Sequence, residues 1–152
     1  DSWPEHCVSG TEGAEYHPAL EDALIDVHVL KGQGNPAYSI FEGVTDTGET
    51  VPELLDRLDV TDIDVVGIAT DYCVLASALD ARKAGRRVRV LTELVAGVAP
   101  VSSAAALETM ASAGGAGGAA GASRFMRFIC LTIMKMMKAR MMKFTRMVRK
   151  EP

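Results

Sequence analysis

Apolar positions in this chain fall into short runs and helical stripes, punctuated by Gly, Asn and Pro. Residues 25–30 are apolar or β-branched apart from Asp26 and His28, which predicts a strand ending at Lys31-Gly32. Residues 32–49 are rich in Gly, Asn, Pro and Thr and predict a loop. Thr50-Val51-Pro52-Glu53 has capping-box spacing with a proline near the first turn, and Leu54, Leu55 and Leu58 continue it as an apolar stripe. A helix therefore starts there. The apolar run over residues 63–69 predicts a buried strand, followed by a helix over about 73–84 that Gly85 closes as a C-cap glycine would. A strand at 88–91, then Gly97, then an Ala-rich helix over about 102–111 complete the pattern.

Strands alternating with helices predict parallel crossovers and an α/β layered sheet. In such sheets reactive groups gather at the carboxyl ends of the strands. Lys31 and Cys73 each fall at or just beyond such an end, so two distant positions converge on one edge. At a strand-to-helix junction the first helical N–H groups lack partners and the helix dipole is positive. Both stabilise an anionic sulfur, the nucleophilic form of cysteine. Cys73 is thus a candidate nucleophile, the bland alternative being a buried packing cysteine. Lys31 is either its partner or a solvated strand end. All three histidines, His6, His17 and His28, precede Cys73, which does not suit a Cys-then-His order.

A length of 152 residues suffices for one domain with a substantial core. The first methionine is Met110, so the N-terminus is expected to be processed or missing. The polar opening residues 1–6 show no signal-peptide core. Cys7, Cys73 and Cys130 show no CxxC pairing, and an odd count without a secretion signal predicts a cytoplasmic location. The net charge of −4 hides an asymmetry. Residues 1–123 hold 7 Lys/Arg and 19 Asp/Glu, net −12, whereas residues 124–152 hold 9 Lys/Arg and one acid, net +8. Between them residues 114–123 form a Gly/Ala linker with nothing to pack. Beyond it, Arg124, Arg127, Lys135, Lys138, Arg146 and Arg149 recur at helical spacing among Phe125, Ile129, Ile133 and Met136. Residues 124–152 are therefore expected to form a basic, Met-rich amphipathic helix. It is read either as an out-of-frame or fused sequence, or as an acquired helix making weak contact with a membrane surface or a partner's groove over residues 124–150. Its charges are too many for a bilayer span.

Gly67-Ile68-Ala69-Thr70-Asp71-Tyr72-Cys73-Val74 resembles the nucleophile motif of the nicotinamidases/pyrazinamidases, in the isochorismatase-like hydrolase superfamily. Two further segments resemble the same family in the same order. Ser2-Trp3-Pro4-Glu5-His6-Cys7-Val8-Ser9-Gly10-Thr11 is similar to its metal-proximal segment. Lys31-Gly32 with Tyr38-Ser39-Ile40-Phe41-Glu42-Gly43 is similar to its catalytic lysine strand and the loop beyond. The resemblance covers residues 1 to about 113.

It implies a three-layer α/β/α fold with a parallel sheet, of which residues 1–113 are the C-terminal two-thirds without the first strands. It implies that Cys73 attacks the carboxamide of nicotinamide or pyrazinamide, and that Lys31 stabilises the thiolate as part of a Cys-Lys-Asp triad. The triad aspartate would lie before residue 1. It further implies a cis bond between Ile68 and Ala69, aiming the Ala69 N–H with that of Cys73 into an oxyanion hole, and aromatic flanking of the pyridine by Trp3 and Tyr38. His6 would be the last ligand of a Zn, Fe or Mn site whose other ligands also lie upstream, so this chain is expected neither to retain the ion nor to turn over by itself. The expected partner is a small molecule, with no nucleic acid. Two other functions remain open: a related cysteine amidohydrolase acting on a different amide or ureide, and a non-catalytic fragment whose working part is the basic helix.

Overall fold

In the computed structural model the described residues are Pro4, 6–16, Pro18, 25–114 and, for the backbone, 125–131. The chain divides into two units, one spanning Val27–Leu131 and the other the remainder. Among the described residues of the second unit, a 3-10 turn, Glu12–Ala14, follows a bend in which Gly10 takes a positive φ of 79°.

Within Val27–Leu131 the helical starts follow their caps. Helix α1, Val51–Arg57, begins where Thr50 accepts from the Glu53 N–H while Glu53 Oε2 accepts from the Thr50 N–H at 2.9 Å. This is the capping box the sequence predicts. Strand β3, Asp62–Ile68, is followed by a π-helical turn, Thr70–Val74, which runs directly into α2, Leu75–Lys83. Gly85 then turns the chain with φ 76°, the left-handed geometry that favours glycine after a helix. Strand β4, Arg87–Ala96, is longer than residues 88–91, and α3, Pro100–Ala113, starts with its proline in the first turn.

β3 and β4 pair in parallel through the crossover helix α2, in register from Asp62 opposite Arg87 to Ile68 opposite Ala96, with one bulge near Gly67. Alternation places Ile63 and Val65 on one face of β3. They join Val51 and Leu55 of α1, Val74, Ala78 and Ala81 along the α2 segment, and Ala106 and Met110 of α3 in one core. The described helices thus form one layer on that face; a second helical layer is not seen among the described residues. Asp64, on the opposite face and 3% exposed, takes a two-pronged hydrogen bond from Arg89 of β4 at 2.8 and 2.6 Å. Asp62 and Arg87 repeat the arrangement at the strand start.

Two expectations are corrected. Residues 25–30 do not form a strand of the parallel sheet: β1 is only Val29–Leu30, and it pairs antiparallel with β2, Val44–Thr45. The apolar run identified extended backbone but not its partner. Nor does the helix expected from residue 124 begin as a helix. Phe125–Leu131 is strand β5, parallel to β3 from Asp62 opposite Phe125 to Ile68 opposite Leu131, giving the order β4-β3-β5. Phe125, Phe128 and Ile129 suit a pleated sheet, and an available strand edge outweighs helical charge spacing. The expected linker, apart from Gly114, and the expected helix beyond residue 131 lie outside the described residues. No helix among the described residues is long and apolar enough to cross a membrane.

Candidate active site

Lys31 leaves β1 and is followed by Gly32, whose φ of 76° lets the chain turn at once into the loop. The β1–β2 ribbon that carries Lys31 is closed tightly at Gly43. A Cβ there would stand 2.8 Å from the Leu30 carbonyl oxygen and from Val29 Cγ1. Between them, a 3-10 turn at Ile40–Glu42 is capped by Ser39, with Glu42 Oε2 accepting from the N–H groups of Ser39 at 2.9 Å and Tyr38 at 3.1 Å. The loop is thereby a fixed object rather than a slack connection.

Cys73 comes from the other direction. β3 ends at Ile68, the Ile68–Ala69 peptide is cis, and the Ala69 carbonyl accepts from Tyr72 N–H at 3.1 Å and Val74 N–H at 3.0 Å. Those bonds fold residues 70–74 into the turn that holds the Cys73 side chain, 7% exposed, below the surface. Lys31 Nζ donates to Cys73 Sγ at 3.3 Å and to the Ala37 carbonyl at 3.0 Å. Residues 42 positions apart thus meet at the carboxyl end of β3.

Tyr38, 45% exposed, has its ring centroid 5.4 Å from that of Tyr72 at a 45° tilt, which pairs the neighbour of Ala37 with the neighbour of Cys73. Tyr72 stands in the sequence motif without a role assigned to it, although its place next to Cys73 was a signal.

Asp71 was also missed. Its carboxylate accepts from the Val98 N–H at 3.0 Å, the Ala99 N–H at 3.2 Å and the Ser102 hydroxyl at 2.5 Å, which ties the cysteine turn to the start of α3. Burial pushes the Asp71 carboxyl up, but the Ser102 hydroxyl and the two N–H groups outweigh it and hold it below the ordinary carboxylate value. Gly97 makes the close approach possible: a Cβ there would lie 2.8 Å from Ser103 Cβ and 3.2 Å from Asp71 Oδ1.

The predicted site residues separate into three groups. Lys31, Cys73 and Tyr38 converge with the Ile68–Ala69 peptide in one unit. His6 belongs to the other unit, where its Nδ1 lies 2.7 Å from the Pro4 carbonyl oxygen. Trp3 lies outside the described residues. Among the described residues no group of three or more His, Cys, Asp or Glu side chains could hold a metal ion, so the donor set does not fit one.

The class is therefore an α/β protein with polar chemistry collected at the carboxyl end of a parallel strand. The Isochorismatase domain family matches residues 1–119, and the chain belongs to that family. It is 49% identical over 98 residues to the nicotinamidase/pyrazinamidase of Mycobacterium tuberculosis, an alignment covering 64% of this chain and 53% of that protein. Among solved structures it resembles the pyrazinamidase of Pyrococcus horikoshii in complex with zinc, with a TM-score of 0.62, 39% identity, and 74% of this chain and 60% of that one covered. It likewise resembles PnC1 of L. infantum in complex with nicotinate, with a TM-score of 0.62, 32% identity, and coverage of 74% and 58%. The chain spans about half the length of the curated relatives it matches.

Proposed function

We propose that this chain carries the nucleophile and its lysine partner for hydrolysis of nicotinamide to nicotinate and ammonia. The observation that carries the reading is the 3.3 Å contact between Lys31 Nζ and Cys73 Sγ at the carboxyl end of β3. The names of the relatives above, and the nicotinate in one of them, support the substrate class.

In this reading the ammonium of Lys31 stabilises the Cys73 thiolate. The thiolate attacks the carboxamide carbon, and the N–H groups of Ala69 and Cys73 hold the oxygen as it gains charge. The carbon–nitrogen bond breaks, and the proton taken from the thiol leaves with the amine as ammonia. Water then cleaves the thioester, giving nicotinate and returning the thiol. Tyr38 and Tyr72 present apolar ring surface to the flat pyridine. The proton carrier is a group other than Lys31 and Cys73; the family resemblance makes it an aspartate. A divalent ion, with His6 as one ligand, belongs to the reading of the whole protein, and no step here is routed through it.

The nucleophile can be tested apart from turnover. Nicotinaldehyde places a more electrophilic carbonyl on the same ring, and thiolate addition to it needs no leaving group. It should protect Cys73 against iodoacetamide while benzaldehyde protects it less, with Cys7 indifferent to both. Equal protection by the two aldehydes, or none, removes the pyridine amide as the substrate class. The 152 residues by themselves should release no ammonia from nicotinamide with or without Zn, Mn or Fe. Turnover near one per second, within the common enzyme range, would show that the residues present suffice.

A further inference from the structure

Cys73, Ser77 and Asp80 occur at i, i+4 and i+7, which places them along one stripe of the helical segment from residue 70 to 83. Two members of the stripe, Cys73 and Ser77, bond directly to the segment that carries Lys31. Cys73 Sγ accepts from Lys31 Nζ. Ser77 Oγ, on a residue only 1% exposed, accepts from the buried Ile40 N–H at 3.0 Å. Asp80 stands one turn further along the same stripe; burial pushes its carboxyl up, while Lys83 and the buried Ser39 side chain hold it below its ordinary value. Ser39 in turn caps the 3-10 turn, and two residues before it the Ala37 carbonyl holds Lys31 Nζ at 3.0 Å.

Building on the function proposed above, we infer that Ser77 and Asp80 are positioning residues: they fasten the 37–42 loop to the helix that bears the nucleophile, and so set the Lys31–Cys73 distance. The physical reason is that both partners are then referenced to one rigid element. Lysine has a flexible four-carbon stem, and its ammonium stays where a fixed carbonyl holds it. The Ala37 carbonyl is fixed only if the residues just beyond it are, and Ile40 is tied to the stripe by the Ser77 hydroxyl. Neither residue meets the substrate in this reading, so neither is catalytic.

The experiment is the pH profile of Cys73 alkylation in the full 152-residue chain, read peptide by peptide by mass spectrometry. Changes in access alter the plateau rate; changes in thiolate stabilisation move the midpoint. Ser77→Ala should raise the midpoint by about one pH unit, roughly tenfold in the thiolate-to-thiol ratio, and Ser77→Thr, which keeps the hydroxyl, should restore it. Because Ser77→Ala strands a buried N–H and can unfold the chain, Asp80→Ala is the second probe, its side chain being 30% exposed. Removing that negative charge acts directly to lower the midpoint, so a rise identifies the positional effect. Lys31→Met serves as reference. If it moves the midpoint and neither folded Ser77→Ala nor Asp80→Ala does, the positioning role is wrong and the lysine–cysteine pair stands. If Lys31→Met leaves the midpoint in place, the pair itself fails and the inference falls with it.

Discussion

The Asp71 carboxylate reaches across 31 residues to the Ser102 hydroxyl at 2.5 Å, fastening the turn that holds Cys73 to the first turn of α3. Val98 and Ala99 add their N–H groups to the same carboxylate. The charged form is therefore the one the fold prefers.

A pH dependence follows from that preference. The folded-state value lies below the ordinary 3.8, so the stability Asp71 contributes is fully present above about pH 4 and is lost as pH falls through the folded value. Asp71→Asn keeps one acceptor and removes the charge, and should cost about 1 kcal/mol at pH 7, the low end for hydrogen bonds to a partly exposed charged group. Urea midpoints of the two proteins should differ at pH 7 and pH 5 and converge below pH 3.8. A gap that stays constant into acid would mean that the charge contributes nothing.

Much of this arrangement was legible in the sequence, and what was not has a common cause. The Thr50 capping box and the Gly85 turn depend on local chemistry, which sequence spacing reveals; Lys31 does meet Cys73, but from the antiparallel β1–β2 ribbon rather than from the parallel sheet edge the spacing suggested. The partner of β1, the strand nature of Phe125–Leu131, and the engagement of Asp71, Ser77 and Asp80 depend on which distant segment arrives. The i+4 and i+7 spacing from Cys73 was visible, yet nothing in it indicated that Ile40 and Ser39 would fill the other side. Residues 125–131 show the converse: charge spacing suggested a helix, and the edge of β3 received a strand.

Gly43→Ala should be destabilising by about 1–3 kcal/mol, the usual range for overpacking. Its Cβ would meet the Leu30 carbonyl oxygen, which belongs to the backbone and cannot swing aside. Gly97→Ala meets a side chain, Ser103, so the double variant Gly97→Ala/Ser103→Gly should recover part of the loss. Chemical denaturation of the three variants checks the difference, and full tolerance of Gly43→Ala would contradict the tight closure of the β1–β2 ribbon.

The ion pairs between β3 and β4 should not be equivalent. Arg89→Ala leaves the Asp64 carboxylate, 3% exposed, without its two-pronged partner, and should cost about 2 kcal/mol or more. Arg87→Ala breaks a pair whose arginine is 52% exposed, and should cost under about 1 kcal/mol. Equal losses in a denaturant titration would show that burial of Asp64 does not matter energetically.

β5 covers an edge of β3 that is otherwise a row of unpaired backbone groups beside Ile63 and Val65. A chain ended after Ala113 should therefore scatter more light than the 152-residue chain at equal concentration, because an open apolar edge templates pairing between molecules. Hydrogen exchange should also quicken at residues 62–68 on truncation. If the shortened chain stays dispersed and its exchange is unchanged, the β3–β5 pairing carries no stability.

The last expectation sets access against activation. Cys7 is exposed and Cys73 is buried, so if exposure alone ruled, iodoacetamide would label Cys7 first. The rate of alkylation follows the thiolate fraction as well as access. With Lys31 Nζ 3.3 Å from its sulfur, Cys73 should be modified faster than Cys7 at neutral pH despite its burial. Lys31→Met should reverse that order, because it removes the stabilising charge and leaves the burial. The measurement is the ratio of labelled Cys73 to labelled Cys7 peptides over time, at a reagent concentration low enough that neither saturates. A ratio that favours Cys7 in the parent protein, or one that Lys31→Met does not change, would mean that the contact is a packing accident without chemical effect.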